Sequence, residues 1–353
     1  MQLDVLEYLN KAVEDGASDV FFLAGSTAMQ KVDGRIVPLG TERLLPGNTR
    51  ELISEVYDKA NRSLEYFDKN GDDDFSFAIP GVARFRVNAY RQRGSWASVI
   101  RIVSFRIPDW KEIHIPEEVM KLSEVTSGMI LVTGTAGSGK STTQACIIDR
   151  INHTKESHII TLEDPIEYLH GHDKSIISQR EIAIDTEDYL AALRACLRQS
   201  PDVILMGEMR DAETIRTAMT AAETGHLVIA TLHTKGAVNT IDRILDSFPS
   251  TQQGQIRVQL SMVLHTVVSQ QLIPDVNGSL IPAYEIMHMD NAIRNMIRNN
   301  KNRQINNSIA SGASAGMITM DQYLVNLYQE KKITKETVLL YADNPEQLER
   351  RLV

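Results

Sequence analysis

The sequence has 353 residues, of which 42% are apolar and 24% are charged, as in an ordinary soluble globular protein. Acidic side chains outnumber basic ones by 46 to 37, and the net charge of −9 argues against direct, sequence-independent binding of nucleic acid. Because no apolar run approaches the roughly 18 residues of a membrane span, and the amino terminus does not resemble a signal peptide, we expect a cytoplasmic protein of two or three domains.

The amino-terminal part of the chain has the pattern of a small α+β domain. An amphipathic segment predicts a helix that ends at Gly16, and Asp33-Gly34 predicts the turn of a hairpin. The periodicity between residues 48 and 67 predicts a further helix. The acidic stretch at residues 71–74 is expected to be a solvated loop, and three alternating segments after it are expected to form antiparallel strands.

Arginine is concentrated at the end of this domain. An arginine on the polar face of an antiparallel strand is ordinarily just solvated. In a chain that also binds triphosphate, as the next motif predicts, such residues could instead reach a nucleotide from outside its binding loop. Six arginines lie in this stretch: Arg84, Arg86, Arg91, Arg93, Arg101 and Arg106.

A phosphate-binding motif follows a proline-containing linker at residues 108–120. The apolar run at residues 129–132 predicts a buried strand, and the stretch after it fits G-x-x-x-x-G-K-[ST] at every fixed position. The alternative is a glycine-rich turn with a chance lysine. The order of strand, glycine loop and helix start favours binding of ATP with Mg²⁺, in which Lys140 reaches the β- and γ-phosphates and Ser141 holds the metal. The residues expected to bind the nucleotide are Gly134, Thr135, Ala136, Gly137, Ser138, Gly139, Lys140, Ser141 and Thr142.

Polar side chains follow three more apolar runs in the next hundred residues. Glu163, Glu208 and His233 each stand at the end of such a run, and predicted helices separate the runs. This pattern is typical of a parallel sheet that is covered on both faces, in which ligands bind beyond the carboxyl ends of the strands. A strand-end polar residue is often only a helix cap. Four strands with the same arrangement predict that these side chains converge with Lys140 and Ser141.

The expected chemistry of this site is hydrolysis of ATP. Glu208 is the leading candidate for aligning the attacking water, and Glu163 or Asp164 could orient the water of the metal or share the polarising role. Ser141, Glu163 and Glu208 are the candidate groups around Mg²⁺. His226 lies seven positions before His233, and this odd spacing predicts that the two histidines face opposite ways and differ in role.

The carboxy-terminal third is expected to be largely helical from Val238 onward, with a late strand at LIPAYEIM after a loop at Gly278. The sequence thus predicts an α/β protein with an amino-terminal α+β domain. The predicted divisions are residues 1–107, a linker at 108–120, an ATPase domain at 121–289 and a helical segment at 290–353.

Taken together, the motifs resemble the secretion-superfamily hexameric ATPases, and within them the twitching-motility retraction ATPases of type IV pili. TGTAGSGKSTT resembles the Walker A loop of that family, and TLEDPIEY resembles its aspartate box with Glu163. LRQSPDVILMGEMRDAETI resembles the Walker B region, with Glu208 as the catalytic carboxylate. TAAETGHLVIATLHT resembles the histidine box, which implies that His226 binds the nucleotide and that His233 takes part in catalysis. AIRNMIR resembles the carboxy-terminal segment of retraction motors.

The resemblance implies a RecA-like P-loop ATPase core, an amino-terminal PAS-like domain and carboxy-terminal helices. It also implies a homo-hexamer with arginine fingers from the amino-terminal domain, for which Arg86 and Arg101 are the candidates by position. The implied function is retraction of the pilus by pilin depolymerisation, driven by ATP hydrolysis. The implied partners are an inner-membrane pilus platform protein and a second retraction ATPase, at the cytoplasmic face of the membrane.

Three alternatives remain open from the sequence. A pilus-assembly or type II secretion ATPase would share the core, but those proteins usually carry an extra amino-terminal domain and a four-cysteine metal module, and this sequence contains two cysteines. A P-loop small-molecule kinase would share the phosphate loop, but would need an acceptor pocket and a lid. A nucleotide-gated scaffold without catalysis would not need Glu208.

Overall fold

A computed structural model describes residues 4–32, 34–103, 107–350 and 352 of the chain. The chain divides into two compact units, one made of residues 1–106 with 167–169, and the other made of residues 107–166 with 170–353. In the described residues, no helix combines the length and the apolar character that crossing a membrane requires.

The first unit is an antiparallel sheet with helices packed on one face. Its first helix begins with a capping box, in which the Asp4 carboxylate accepts the Glu7 N–H at 2.8 Å. Strands alternate between buried and exposed side chains, as in Ala83, Phe85 and Val87. The elements are α1 (Val5–Glu14), β1 (Asp19–Phe22), β2 (Thr27–Val32), β3 (Arg35–Arg43), α2 (Pro46–Lys59), α3 (Glu65–Asn70), β4 (Asp72–Ile79), β5 (Ala83–Gln92) and β6 (Ser95–Val103).

The six strands lie in the order β3-β2-β1-β6-β5-β4. The predicted hairpin is confirmed, although Asp33 in its turn lies outside the described residues. The single helix predicted over residues 48–67 is interrupted between α2 and α3. The predicted solvated loop at residues 71–74 was wrong, because β4 begins there and the Asp73 side chain is only 1% exposed beside Arg62.

The second unit contains the predicted succession of apolar strands and helices. β7 ends at the residue before the glycine loop, and the helix after that loop begins at Lys140. The strands are β7 (Gly128–Thr133), β8 (His158–Glu163), β9 (Ile176–Glu181), β10 (Val203–Met206), β11 (Leu227–Leu232), β12 (Leu264–Pro274) and β13 (Leu280–His288). The helices are α4 (Glu117–Met120), α5 (Lys140–Thr154), α6 (Tyr189–Cys196), α7 (Ala212–Glu223), α8 (Ala237–Asp246), α9 (Ser250–Val263), α10 (Asn291–Arg298), α11 (Ile305–Ser311), α12 (Met320–Gln329), α13 (Lys335–Tyr341) and α14 (Pro345–Glu349).

These seven strands form one sheet in the order β13-β12-β7-β11-β10-β8-β9. All neighbouring pairs are parallel except β12 with β13. Apolar clusters pack on the two faces of the sheet, so the central strands are buried on both sides. The predicted α/β fold with a parallel sheet is therefore confirmed, and the carboxyl ends of six strands point to one edge.

Two strands differ from the sequence prediction. β12 falls in a region that was expected to be helical, and β9 was not predicted at all. β12 is a long run of mostly buried side chains, and such a run cannot be told from a buried helix by its periodicity. Its pairing with β7 brings residues 264–274 beside the strand that leads into the glycine loop.

The segment predicted as a linker packs against the second unit. Ile115, Val119 and Met120 are buried in the apolar cluster that also contains residues of α5. The Pro108 carbonyl accepts the Cys146 thiol at 3.5 Å. The predicted linker at residues 108–120 thus contributes three buried side chains to the core of this unit, while its other side chains are exposed or half-buried.

Candidate functional site

The glycine loop connects β7 to α5 through backbone conformations that favour glycine. Gly134 has φ of 146° and Gly139 has φ of 86°. A Cβ on Gly134 would overlap the Gln270 carbonyl oxygen, and a Cβ on Gly139 would lie 2.8 Å from Gln270 Nε2. Glycine is therefore needed at both positions, because the loop runs directly against β12.

Lys140 lies inside this loop. Its Nζ donates to the Gly134 carbonyl at 3.0 Å and to the Thr135 carbonyl at 2.9 Å, and the residue is 8% exposed. Burial lowers the pKa of the Lys140 ammonium, and the negative charge of Glu208 opposes that shift. A cation held between a glycine loop and a carboxylate is the arrangement that a bound triphosphate requires.

The remaining loop residues form a rim around that lysine. Thr135, Ala136 and Gly137 are exposed, and Ser141 is exposed on the first turn of α5. Ser138 is buried, and its Oγ has no hydrogen-bond partner within the described part of the chain. An unsatisfied buried hydroxyl in a glycine loop at a helix start fits a phosphate oxygen as its missing partner.

The predicted carboxylates stand at the same edge of the sheet. β8 ends at Glu163, and β10 ends at Met206, directly before Gly207 and Glu208. Leu162 and Met206 are opposite each other in adjacent parallel strands, so the two carboxylates follow neighbouring strand ends. Glu163 Oε1 accepts the Thr161 hydroxyl at 2.6 Å, which orients the carboxylate from its own strand.

Glu208 is held by two further side chains. Its Oε2 accepts Arg210 Nε at 2.8 Å, and its Oε1 lies 3.5 Å from His233 Nε2. The Tyr189 hydroxyl is close to this group, and its pKa is raised by burial and by the charges of Asp164 and Glu208. Lys140, Glu163, Glu208 and His233 therefore lie together at the carboxyl edge of the sheet.

His226 lies at the opposite edge of the same sheet. Its backbone carbonyl accepts the Gly128 N–H at 3.1 Å, so it stands beside the start of β7. Six residues of strand separate that level from Gly134, which is roughly 20 Å. His226 Nδ1 is 2.9 Å from the Ala221 carbonyl. The structure therefore does not bring His226 to the phosphate loop of the same chain.

Arg86 and Arg101 lie in the first unit, opposite each other in the β5–β6 pair. The Arg86 side chain is exposed, and Arg101 Nε donates to Asp19 Oδ1 at 3.1 Å. Asp19 is opposite Arg101 on the other neighbouring strand, β1. Of the six arginines singled out in the sequence, Arg106 lies outside the described residues.

Sequence reasoning missed the residues that β12 and β13 bring to the phosphate loop. Gln270 is 3% exposed, and its Oε1 accepts the Thr143 hydroxyl at 2.8 Å. A cavity of about 500 Å³ opens beside this contact, which is a size suited to a nucleobase and its sugar. The polar groups on its wall include Thr142, Thr143, Gln270, Asp275, Ser279 and Tyr284. The wrong helix prediction for β12 concealed these residues.

Comparison with known proteins agrees with this geometry. The type IV pilus retraction ATPase PilT of Pseudomonas aeruginosa is 43% identical over 98% of this chain and 99% of its own length. The twitching motility protein of Neisseria gonorrhoeae is 41% identical over 98% of this chain and 92% of its own length.

A crystal structure described as the pilus retraction motor PilT with bound ADP superposes with a TM-score of 0.90. It is 46% identical and covers 99% of this chain and 100% of that one. The family described as Type II/IV secretion system protein matches residues 3–338. With its phosphate loop, strand-end carboxylates and sheet order in place, this chain belongs to the Type II/IV secretion system protein family.

Proposed function

We propose that this chain is an ATP-hydrolysing motor that powers retraction of a type IV pilus and thereby twitching motility. The observation that carries the proposal is the convergence of Lys140, Glu208 and His233 at one edge of a parallel sheet. The chain also aligns along 98% of its length with a retraction ATPase, and a similar solved structure is described with bound ADP.

The loop and Lys140 bind the phosphates in this proposal. Backbone N–H groups at the start of α5 and the Lys140 ammonium face the β- and γ-phosphates, and the Ser138 hydroxyl gains a phosphate oxygen as its partner. The exposed Ser141 hydroxyl would hold Mg²⁺, with Glu163 and Glu208 as further groups around the ion. Mg²⁺, when bound, neutralises charge that develops on the phosphoryl oxygens.

Glu208 aligns the attacking water and accepts its proton. Arg210 and His233 hold one carboxylate oxygen each, so the direction of the carboxylate is set before the reaction. Glu163, at the neighbouring strand end, would orient a water bound to Mg²⁺. The cavity beside Gln270 takes the base and the ribose. His226 has no role in nucleotide binding by its own chain, since it lies at the other edge of the sheet.

The complete motor in this proposal is a homo-hexamer. Arg86 and Arg101 act as arginine fingers toward the ATP bound by a neighbouring subunit, where such a cation is worth about 10³–10⁵ in rate. The proposed functional divisions are an amino-terminal domain at residues 1–107, a linker at 108–120, an ATPase domain at 121–289 and a carboxy-terminal helical segment at 290–353. The motor works at the cytoplasmic face of the inner membrane on a pilus platform protein, together with a second retraction ATPase.

The catalytic part of the proposal is tested with Glu208→Gln. Turnover of ATP by the purified full chain is expected to fall by at least about 10²-fold, because the amide cannot accept the proton of the attacking water. Binding of a fluorescent ATP analogue is expected to change by less than about threefold. Glu213→Gln is the matched control, since Glu213 is an exposed carboxylate on α7 paired with Arg194. Unchanged turnover in Glu208→Gln would remove Glu208 from the catalytic role.

The retraction part is tested in cells that lack the gene. Accumulation of surface pili with loss of twitching is the expected result, and complementation by Glu208→Gln is expected to fail. Loss of surface pili would instead indicate pilus assembly or type II secretion. Phosphate release without any phosphorylated acceptor is expected in vitro, and a phosphorylated small molecule would indicate a kinase.

A further inference from the structure

The helix that follows His233 lacks a cap of its own. α8 begins at Ala237, and its N-cap residue is Gly236, which has no side chain to accept a hydrogen bond. The first N–H groups of a helix have no partner within the helix, so they need an acceptor from elsewhere. α7, by contrast, is capped locally by Asp211, which accepts the N–H groups of Glu213 and Thr214.

Two side chains from the β12–β13 pair supply the missing cap. Ser269 Oγ accepts the Gly236 N–H at 2.8 Å, and Glu285 Oε1 accepts the Ala237 N–H at 2.7 Å. Ser269 and Glu285 are opposite each other in adjacent strands and are 2% and 4% exposed. The start of α8 is therefore attached to a part of the sheet that lies 33 and 48 positions further along the chain.

The same turn is attached to the strand that precedes the phosphate loop. The Thr240 hydroxyl donates to the Gly236 carbonyl at 2.8 Å and lies 2.7 Å from Thr234 Oγ1. Thr133, the last residue of β7, is opposite Ser269 in the parallel β7–β12 pair, and its Oγ1 lies 3.5 Å from Thr240 Oγ1. The turn at residues 233–237 thus has fixed contacts on both sides, and His233 is its first residue.

We propose that Glu285 is a positioning residue for ATP hydrolysis: it fixes the 233–237 turn, and through that turn it holds His233 beside Glu208. The distance from His233 Nε2 to Glu208 Oε1 is 3.5 Å, so a small displacement of the turn removes this contact. Glu285 itself lies in β13 and makes its contact at Ala237, four residues from His233. This inference rests on the proposed function, because it assigns Glu285 to the same reaction.

The environment of Glu285 indicates which property of its side chain matters. Burial raises the pKa of the Glu285 carboxyl, and the charges of Asp343 and Asp321 add to that shift, whereas the backbone N–H groups of Ala237 and Met320 oppose it. A negative charge is therefore unfavourable at this position, whereas an oxygen acceptor is needed. A glutamine keeps one oxygen acceptor for the Ala237 N–H without the charge, although its amide nitrogen cannot accept the Met320 N–H. We accordingly expect Glu285→Gln to retain ATP turnover and Glu285→Ala to lower it.

The experiment compares Glu285→Ala, Glu285→Gln and Asp290→Ala in the full chain. Asp290 caps α10 by accepting the Ile293 N–H at 2.7 Å, so its loss is a matched loss of a cap in the same unit. Glu285→Ala is expected to lower kcat about tenfold and to leave binding of a fluorescent ATP analogue within about threefold. Glu285→Gln should retain at least half of the turnover. Asp290→Ala should lower the melting temperature but not kcat.

A double-mutant cycle separates positioning from general destabilisation. If Glu285 acts through His233, Glu285→Ala should have little further effect on kcat in a His233→Ala background. Additive losses, equal kcat in Glu285→Ala and Asp290→Ala, or failure of glutamine to restore turnover would each overturn the inference. Should Glu285→Ala not fold, Ser269→Ala removes the neighbouring cap and takes its place in the double-mutant cycle. We then expect kcat to fall about threefold, and an unchanged kcat would overturn the inference.

The two proposals fail in different ways in this experiment. Absence of ATP turnover by the unsubstituted chain would contradict the proposed function and, with it, the role of Glu285. Normal turnover by the unsubstituted chain and by Glu285→Ala alike would contradict the role of Glu285 alone.

Discussion

The seven-stranded sheet holds its polar candidates beyond the ends of its strands, whereas the six-stranded sheet carries Arg86 and Arg101 within one face. At the strand ends, the pairing of neighbouring parallel strands within one chain is enough to bring Glu163 and Glu208 together. On the face, the strand pairings place Arg86 beside Arg101 and Ser76, and Arg101 beside Asp19. A strand end defines a site within one chain, while a strand face becomes a site only when another surface meets it.

The largest expected effect tests whether the arginine face acts in catalysis at all. We expect Arg86→Ala and Arg101→Ala each to lower turnover about 10³-fold, roughly 4 kcal/mol of transition-state stabilisation, with ATP affinity within about threefold. Steady-state ATPase assays and fluorescence titration measure the two quantities. Arg91→Ala is the control, because Arg91 lies in the same strand at an odd spacing from Arg86 and so on the other face. Normal turnover of both variants would show that this face is only solvated.

The next effect tests how closely the phosphate loop depends on β12. Gly139→Ala places a Cβ at a φ of 86° and 2.8 Å from Gln270 Nε2. Backbone strain and overlap together should cost about 3 kcal/mol, which is roughly a hundredfold in ATP affinity. Gly225→Ala is the control, since Gly225 has φ of 100° and open space around its Cβ position. Equal affinities of the two variants would mean that the contact with β12 does not shape the loop.

A smaller effect separates stability of the first unit from chemistry in the second. Asp73 accepts Arg62 Nη2 at 2.7 Å and the Tyr57 hydroxyl at 2.9 Å, and its side chain is 1% exposed. Asp73→Ala should lower the free energy of unfolding by about 2 kcal/mol, less than for a fully buried pair because Arg62 is 39% exposed. Denaturant unfolding measures this loss. Asp68→Ala breaks the exposed pair with Arg91 and should cost less than about 0.5 kcal/mol.

The smallest expected effect concerns the two ends of β11. His226→Ala should change ATP affinity by less than about twofold, because its roughly 20 Å separation from the phosphate loop excludes a contact with the same nucleotide. Fluorescence titration of the full chain measures it, with Lys140→Ala as the positive control for lost binding. A loss of tenfold or more would place His226 at a nucleotide that another subunit holds.

The strand-end residues could be predicted because the parallel topology leaves little freedom. An apolar run followed by a polar residue defines both the strand and the edge at which the residue lies, and this was sufficient for Glu163, Glu208 and His233. The odd spacing of His226 and His233 predicts opposite faces of one strand, but the two residues lie outside β11, one at each end of it.

Gln270, Ser269 and Glu285 could not be predicted in the same way. They lie in β12 and β13, and nothing local in the sequence says that β12 pairs with β7. The polar side chains of β12 are nearly as buried as its apolar ones, so no alternation indicated a strand. Asp73 was missed for a related reason, since its partners Arg62 and Tyr57 come from a different element of the first unit.

The pairing of β12 with β7 also has a consequence for how the protein is made. Thr143 and Gln270 are 127 positions apart, yet their contact supports the phosphate loop. At a synthesis rate of about 5–20 residues per second, a ribosome needs roughly 6 to 25 seconds to add the residues between them. Until Gln270 has emerged, β7 lacks its neighbour on one side, and the glycine loop has no surface to fold against. The nucleotide site is thus completed late in folding, and the nascent motor gains its ATP site only after most of the second unit has been synthesised.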